Sequence, residues 1–261
     1  MRSLGVAATG MMAQQLHVDV ISNNIANMTT TGYKRHRPEF QDLLYQDLRR
    51  VGASSSADGG VVPAGVQLGL GVKTAAVYRI NEQGIMVNTE NKLDLAIQGE
   101  GFFIVDLPSG ESGYSRSGNF QLSPEGALVT ADGYPVSPGI TVPANTVEVA
   151  ISPDGMVSAK VDGQADLVEV GQIELAAFVN PAGLEEVGDN ILKETPASGD
   201  PQTGNPGAEG FGRVLQGYLE SSNVNPVQEI TALITAQRAY DMNSKVISAS
   251  DEMMNTVTQM R

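Results

Sequence analysis

The sequence predicts an α+β fold: a long helix at each end of the chain, the two packed together, with extended connectors and a mainly antiparallel β domain between them. Three observations carry that expectation. Both ends show apolar columns spaced seven residues apart. The middle breaks into short alternating stretches separated by Gly-, Pro- and Asp-rich turns. The net charge of −14 falls almost wholly on residues 29–225, leaving both ends polar but nearly uncharged.

Residues 1–30 form the first predicted helix. Leu4, Met11, Val18 and Ile25 make one column; Ala7, Gln14, Ile21 and Met28 make a second, interrupted once by Gln14. The helix runs into "SNNIANMTTTGYKRHRPEF" (22–40), where Asn23, Asn24 and Asn27 crowd its last turns. Asn and Thr are poor helix-interior residues. Gly32 is the residue that permits a turn out of the helix. The basic run Lys34–Arg37 is short, and it is expected to pair with acids elsewhere in the chain.

Residues 31–92 are predicted as a connecting segment. The stretch 49–71 is rich in Gly, Ser and Ala and reads as linker by composition. Residues 93–193 are predicted as the β domain. "LDLAIQ" alternates and "GEGFFIV" follows; turns are expected at "SPEG" (123–126), "ADGY" (131–134), "SPDG" (152–155) and "VDGQ" (161–164). Residues 165–179 add one or two strands. Residues 194–224 return the chain. The second helix covers 225–261: Asn225 caps it, Pro226 suits its first position, and Gln228 completes a variant capping box. Leu233, Tyr240, Ile247 and Met254 form its apolar column, flanked by Ala239, Val246, Met253 and Met260.

Composition and motifs exclude more than they assign. The absence of cysteine rules out disulfides, thiolate metal sites and a cysteine nucleophile. An acidic middle repels nucleic acid and anionic membrane surfaces. No apolar run reaches the ~20 residues of a membrane span. The apolar stretch "LGVAATGMMA" is thin and lacks a small-residue cleavage site, so a cleaved signal peptide is not expected. Neither "GLGVKT" nor "GEGFFI" completes a dinucleotide fingerprint, and "GYSRSG" misses the nucleophile elbow because Ser117 stands where glycine is needed. His17 and His36 have no partners at zinc spacing. Thirty acidic residues leave a glycosidase-like carboxylate pair open, although few aromatics are present to stack a sugar. No catalytic, cofactor-binding or metal residue is therefore predicted.

Three long stretches in collinear order carry a resemblance. "SNNIANMTTTGYKR" resembles the N-terminal signature of the flagellar axial proteins, the rod and hook family. "LDLAIQGEGFFIVDLPSGESGYSRSGNFQLSPEGALVTADGYPV" resembles their central motif, and "QGYLESSNVNPVQEITALITAQRAYDMNSKVI" their C-terminal one. "AGVQLGLGVKT" (64–74) and the length are most similar to the distal-rod branch; the proximal-rod branch shares all three motifs and stays open. A hook subunit is disfavoured because the space before the last motif is too short for its extra domain.

The resemblance implies a structural subunit without cofactor, polymerising into a helical tube that works as a drive shaft. It further implies an inner, coiled-coil-like helical layer, a connecting middle with an extended loop over 46–74, and an outer β domain. The implied partners are copies of itself, proximal rod proteins, hook protein, the peptidoglycan and outer-membrane ring proteins, and the flagellar type III export apparatus. The implied location is the periplasm-spanning rod of the basal body, reached without cleavage. The interface residues expected on this basis are Leu4, Met11, Val18, Ile21, Asn23, Asn24, Ile25, Asn27, Leu233, Gln237, Tyr240, Asn243, Ile247 and Met254. The turn residues are Gly32, Asn225 and Pro226. In a wall buried against neighbours a carboxamide donates and accepts without the desolvation cost of a charge; Asn223 and Asn225 are expected to serve likewise.

Overall fold

A computed structural model describes residues 2–49, 65–163 and 167–260. The chain divides into two compact units. One collects Met1–Ile25, His36–Tyr78 and Asn225–Arg261; the other collects Ala26–Arg35 and Arg79–Val224. The chain therefore passes from one unit to the other four times.

The first unit holds the two long helices, α1 (Arg2–Ala26) and α2 (Pro226–Gln259), and four strands. Strands β1 (His36–Asp42) and β4 (Val72–Arg79) pair, as do β2 (Tyr45–Arg49) and β3 (Val66–Gly69). The expected loop over 46–74 is thus strand at both of its described ends; its centre, 50–64, lies outside the described residues. Asn225 starts α2. Its side-chain oxygen accepts from the amides of Val227 at 3.1 Å and Gln228 at 3.3 Å, and Pro226 fills the first turn, where no amide proton is needed.

The second unit is built around a six-stranded antiparallel sheet. Its order is β15 (Glu185–Gly188), β16 (Ile191–Lys193), β8 (Ser112–Ser115), β7 (Phe102–Asp106), β14 (Leu175–Ala177) and β17 (Gln202–Gly204). The run "FFIV" in β7 is apolar throughout because both faces of this sheet are covered. Phe103 and Val105 point to a core with Leu95, Ile97, Phe120, Val157, Ile173 and Val214. Phe102 and Ile104 point the other way, to Tyr114, Ala176, Leu184 and Leu192. Alternation of the pleat thus serves two clusters from one strand.

Hairpins fill the rest of this unit. Strands β9 (Gln121–Leu122) and β10 (Leu128–Val129) flank the "SPEG" turn, and β11 (Thr146–Ile151), β12 (Met156–Val161) and β13 (Leu167–Gln172) form a meander. The "SPDG" turn joins β11 to β12, with Gly155 in the left-handed region at φ +80°. Two short strands near the C-terminal end close onto earlier ones: β18 (Arg213–Gln216) pairs β6 (Leu95–Gln98), and β19 (Tyr218–Glu220) pairs β5 (Met86–Asn88). The α+β expectation, with helices at both ends and a mainly antiparallel middle, matches this architecture.

Candidate assembly interface

Helices α1 and α2 meet along a seam of small and polar residues. Ser250 Oγ donates to Ser3 Oγ at 3.2 Å. A Cβ on Gly10 would lie 2.9 Å from Asn243 Nδ2, so the carboxamide rests on bare backbone. Asn24 Nδ2 donates to Glu229 Oε2 at 3.1 Å, with both residues about 1% exposed. The apolar columns singled out from sequence flank this seam. Leu4, Met11, Val18, Ile25, Leu233 and Ile247 are half-buried, Ile21 is buried, and Tyr240 and Met254 are exposed. Val18, Gln237 and Tyr240 share the wall of an open groove of about 460 Å³ with Gln15 and Asp241.

The carboxamides expected to reach neighbouring copies are partly used within the chain. Asn24 Oδ1 accepts from the amide of His36 at 2.9 Å, and its Nδ2 also donates to the His36 carbonyl at 2.9 Å. It thereby copies a strand partner at the start of β1. Asn223 does the same one residue earlier. Its Oδ1 accepts from the amide of Arg35 at 2.7 Å, while Nδ2 donates to the carbonyls of Ile80 at 2.9 Å and Glu82 at 3.0 Å. The Ile80 amide donates to the Arg35 carbonyl at 2.8 Å. Asn27 accepts from Thr30 Oγ1 at 3.1 Å, and Asn23 is exposed. Replacing Asn223 by Ala removes three bonds to the backbone, two of them part-buried. A loss of about 1–3 kcal/mol is expected, read as a lower denaturant midpoint of the β-rich unit by circular dichroism.

The second unit also holds a buried ion cluster that sequence reasoning missed. Glu220, 1% exposed, receives Lys34 Nζ at 2.5 Å and Arg116 Nε at 2.6 Å, and its Oε1 also accepts from the Gly84 amide at 2.8 Å. Arg116 continues to the carbonyls of Ile97 at 3.1 Å, Gly99 at 2.5 Å and Gly101. Lys34 continues to the Glu82 carbonyl at 2.8 Å. Close backbone approach makes this possible: a Cβ on Gly84 would fall 1.9 Å from the Ser221 carbonyl oxygen. Gly32, at φ +71°, donates its amide to the Glu220 carbonyl at 2.8 Å and packs on the Arg116–Ser117 peptide. Nothing in the local pattern around Lys34, Arg116 or Glu220 marks them as partners; their common placement in the three signature stretches is the one available signal.

Burial alone would raise the Glu220 pKa. The charges of Arg116 and Lys34 and the bonds from Lys34 and the Gly84 amide outweigh it, holding the carboxyl below the usual carboxylate range. The unfolded chain therefore takes up the proton first as pH falls. The stabilisation is complete above the ordinary Glu range and is lost as pH drops through the folded value. Burial depresses the Lys34 pKa, opposed by Glu220; through the window below its unfolded value the same sign applies, and stability rises with pH. Acid titration followed by tyrosine fluorescence is expected to show unfolding of the β-rich unit at a higher pH in Arg116→Gln than in the parent chain.

Arg37 of the basic run also has partners within the chain. Arg37 lies over the Tyr78 ring at 5.6 Å and 3.8 Å from Glu39. Among the described residues no cluster of His, Asp and Glu has the grouping needed to hold a metal ion, and no helix is long and apolar enough to cross a membrane.

Comparison with known proteins matches three segments of the chain. Residues 4–34 match the family described as flagella basal body rod protein, residues 96–159 the flagellar hook protein FlgE/F/G D1 domain, and residues 215–260 the flagellar basal body rod FlgEFG protein C-terminal region. The chain is 58% identical to the flagellar basal-body rod protein FlgG of Caulobacter vibrioides over 261 residues, covering all of both chains. It is 51% identical to that of Agrobacterium fabrum, over 99% of each, and 37% identical to that of Bacillus subtilis, over 100% of this chain and 99% of the other.

Proposed function

This chain belongs to the FlgG family of flagellar basal-body rod proteins, and from that premise we infer how its parts serve a rod. It is a structural subunit of the rod, not an enzyme. Helices α1 and α2 form the inner, coiled-coil-like layer of a helical tube, the segments 31–92 and 194–224 form a connecting layer, and the β domain over 93–193 faces outward. Contacts between copies are heterologous and do not close, since only such contacts propagate a filament. Torque passes through many close-packed interfaces at once, because packed interiors resist compression and shear.

One observation carries this reading. Helix α2 bears apolar side chains that its own chain leaves open: Val227 is 73% exposed, Met242 61% and Val257 59%, with Ile230, Ile234, Val246 and Met253 also exposed. An isolated soluble helix of this length would hold charge there. A neighbouring copy that lays its own arms on this row removes it from water.

The further partners of the reading are proximal rod proteins at one end, hook protein at the other, and the peptidoglycan and outer-membrane ring proteins around the shaft. Delivery uses the flagellar type III export apparatus without signal-peptide cleavage, and the site of assembly is the periplasm. Electron microscopy of basal bodies purified from cells carrying this chain as their sole FlgG-family protein tests the central claim. A continuous rod up to the hook is expected; basal bodies that stop short while the protein is present and folded would refute it.

A further inference from the structure

Resting on the rod-subunit reading, we propose that Ser3, Gly10 and Asn24, facing Ser250, Asn243 and Glu229, form a polar register code that fixes how α1 and α2 of one chain align. The contacts recur at one interval. Each step of seven along α1, from Ser3 to Gly10 and on past His17 to Asn24, is matched by a step of seven back along α2, from Ser250 to Asn243 and on past Ala236 to Glu229. At the step that sets His17 beside Ala236, His17 meets Phe40 edge-on, with ring centroids 6.2 Å apart, and Ala236 is buried.

This arrangement differs from an apolar seam in what it discriminates. Leucine and methionine columns accept a partner slid by a heptad, because one apolar contact replaces another. A buried carboxamide facing a buried carboxylate does not: in the slip that sets Val257 against Ser3, Asn24 would face Ala236 and Glu229 would lie past the end of α1. Asn24 is further constrained, because its oxygen and nitrogen also hold the backbone of His36. Gly10 leaves room for the Asn243 carboxamide, since a Cβ there would lie 2.9 Å from Nδ2 and push that side chain aside. One heptad of slip moves α2 by about 10 Å along α1. Every apolar column offered to a neighbouring copy would then be displaced by the same distance. Asn24, Glu229 and Asn243 are in this sense positioning residues: they determine which outer face the arm pair presents.

The chain has no cysteine, so engineered pairs report alignment without background. In purified full-length protein under mild oxidant, S3C/S250C is expected to form an intrachain disulfide at least tenfold faster than the one-heptad-shifted pair S3C/V257C. Adding Asn24→Leu, Asn243→Leu and Glu229→Leu is expected to bring the two rates within about threefold, while Glu229→Gln, which still accepts from Asn24, is expected to retain the bias. Circular dichroism of the triple-Leu chain confirms that its helices persist. Equal rates in the parent chain, or a bias that survives the triple substitution, would overturn the proposal. The crosslinking is independent of polymerisation. A retained bias in a chain that builds no rod would therefore count against the rod reading alone, and rods without the bias against the register code alone.

Discussion

Glu220→Ala is expected to lower the stability of the β-rich unit by about 3–5 kcal/mol. The substitution leaves Lys34 and Arg116, both buried, as like charges without their shared counter-ion. It also strips the Gly84 amide of its acceptor at the point where the β4–β5 connection presses on Ser221. Glu220→Gln keeps the shape and one acceptor oxygen, so part of the network survives and a smaller loss is expected. Amide hydrogen exchange across β5, β6 and β19 in the purified chain measures the effect. Protection in Glu220→Ala within about 1 kcal/mol of the parent value would show the cluster to be energetically idle.

Ile247→Asp and Leu233→Asp are expected to abolish rod assembly while leaving the β-rich unit folded. Both residues are half-buried beside the polar seam, so in a lone chain a carboxylate there retains water on one side. In a tube wall it would not, and an unpaired buried carboxylate costs several kcal/mol or takes up a proton. Multiplied over every copy, that cost stops growth. Soft-agar motility and basal-body micrographs give the readout, with circular dichroism as the fold control. Normal rods in either variant would remove this column from the contacts between copies.

Legibility from sequence followed the range of the interaction. The helices announced themselves through period and caps, and hairpin turns such as "SPDG" through Pro, Asp and Gly at fixed offsets. The order of the six-stranded sheet did not, because β16 joins β8 and β17 joins β14 across long separations that no local pattern encodes. Asn24 and Asn243 were expected at an interface, but the rest of the α1–α2 seam was overlooked for a physical reason. Apolar columns attract notice, yet the contact runs one residue ahead of the α1 column and four residues before the α2 column, through Ser, Gly, Asn and Glu. The asparagines were legible as polar groups without charge. That Asn24 and Asn223 grip consecutive backbone amides, His36 and Arg35, depends on how distant segments meet and could not be read from spacing.

The ion cluster around Glu220 also dictates when the chain can finish folding. Lys34 lies in the first family-matched segment, Arg116 in the second and Glu220 in the third, and the Lys34–Glu220 pair spans 186 residues. Strands β18 and β19, which complete the pairing of β6 and β5, are made later than the rest of that unit. A nascent chain emerging N-terminus first therefore carries two unmatched cations and two open strand edges until its last fifth has been synthesised. Closure of such distant ends is slow, since loop entropy is lost before contacts compensate. The unit behaves as a completeness check. A truncated product lacks the carboxylate that pairs Lys34 and Arg116, stays partly unfolded, and is open to proteolysis before it can compete for a place at a growing tip.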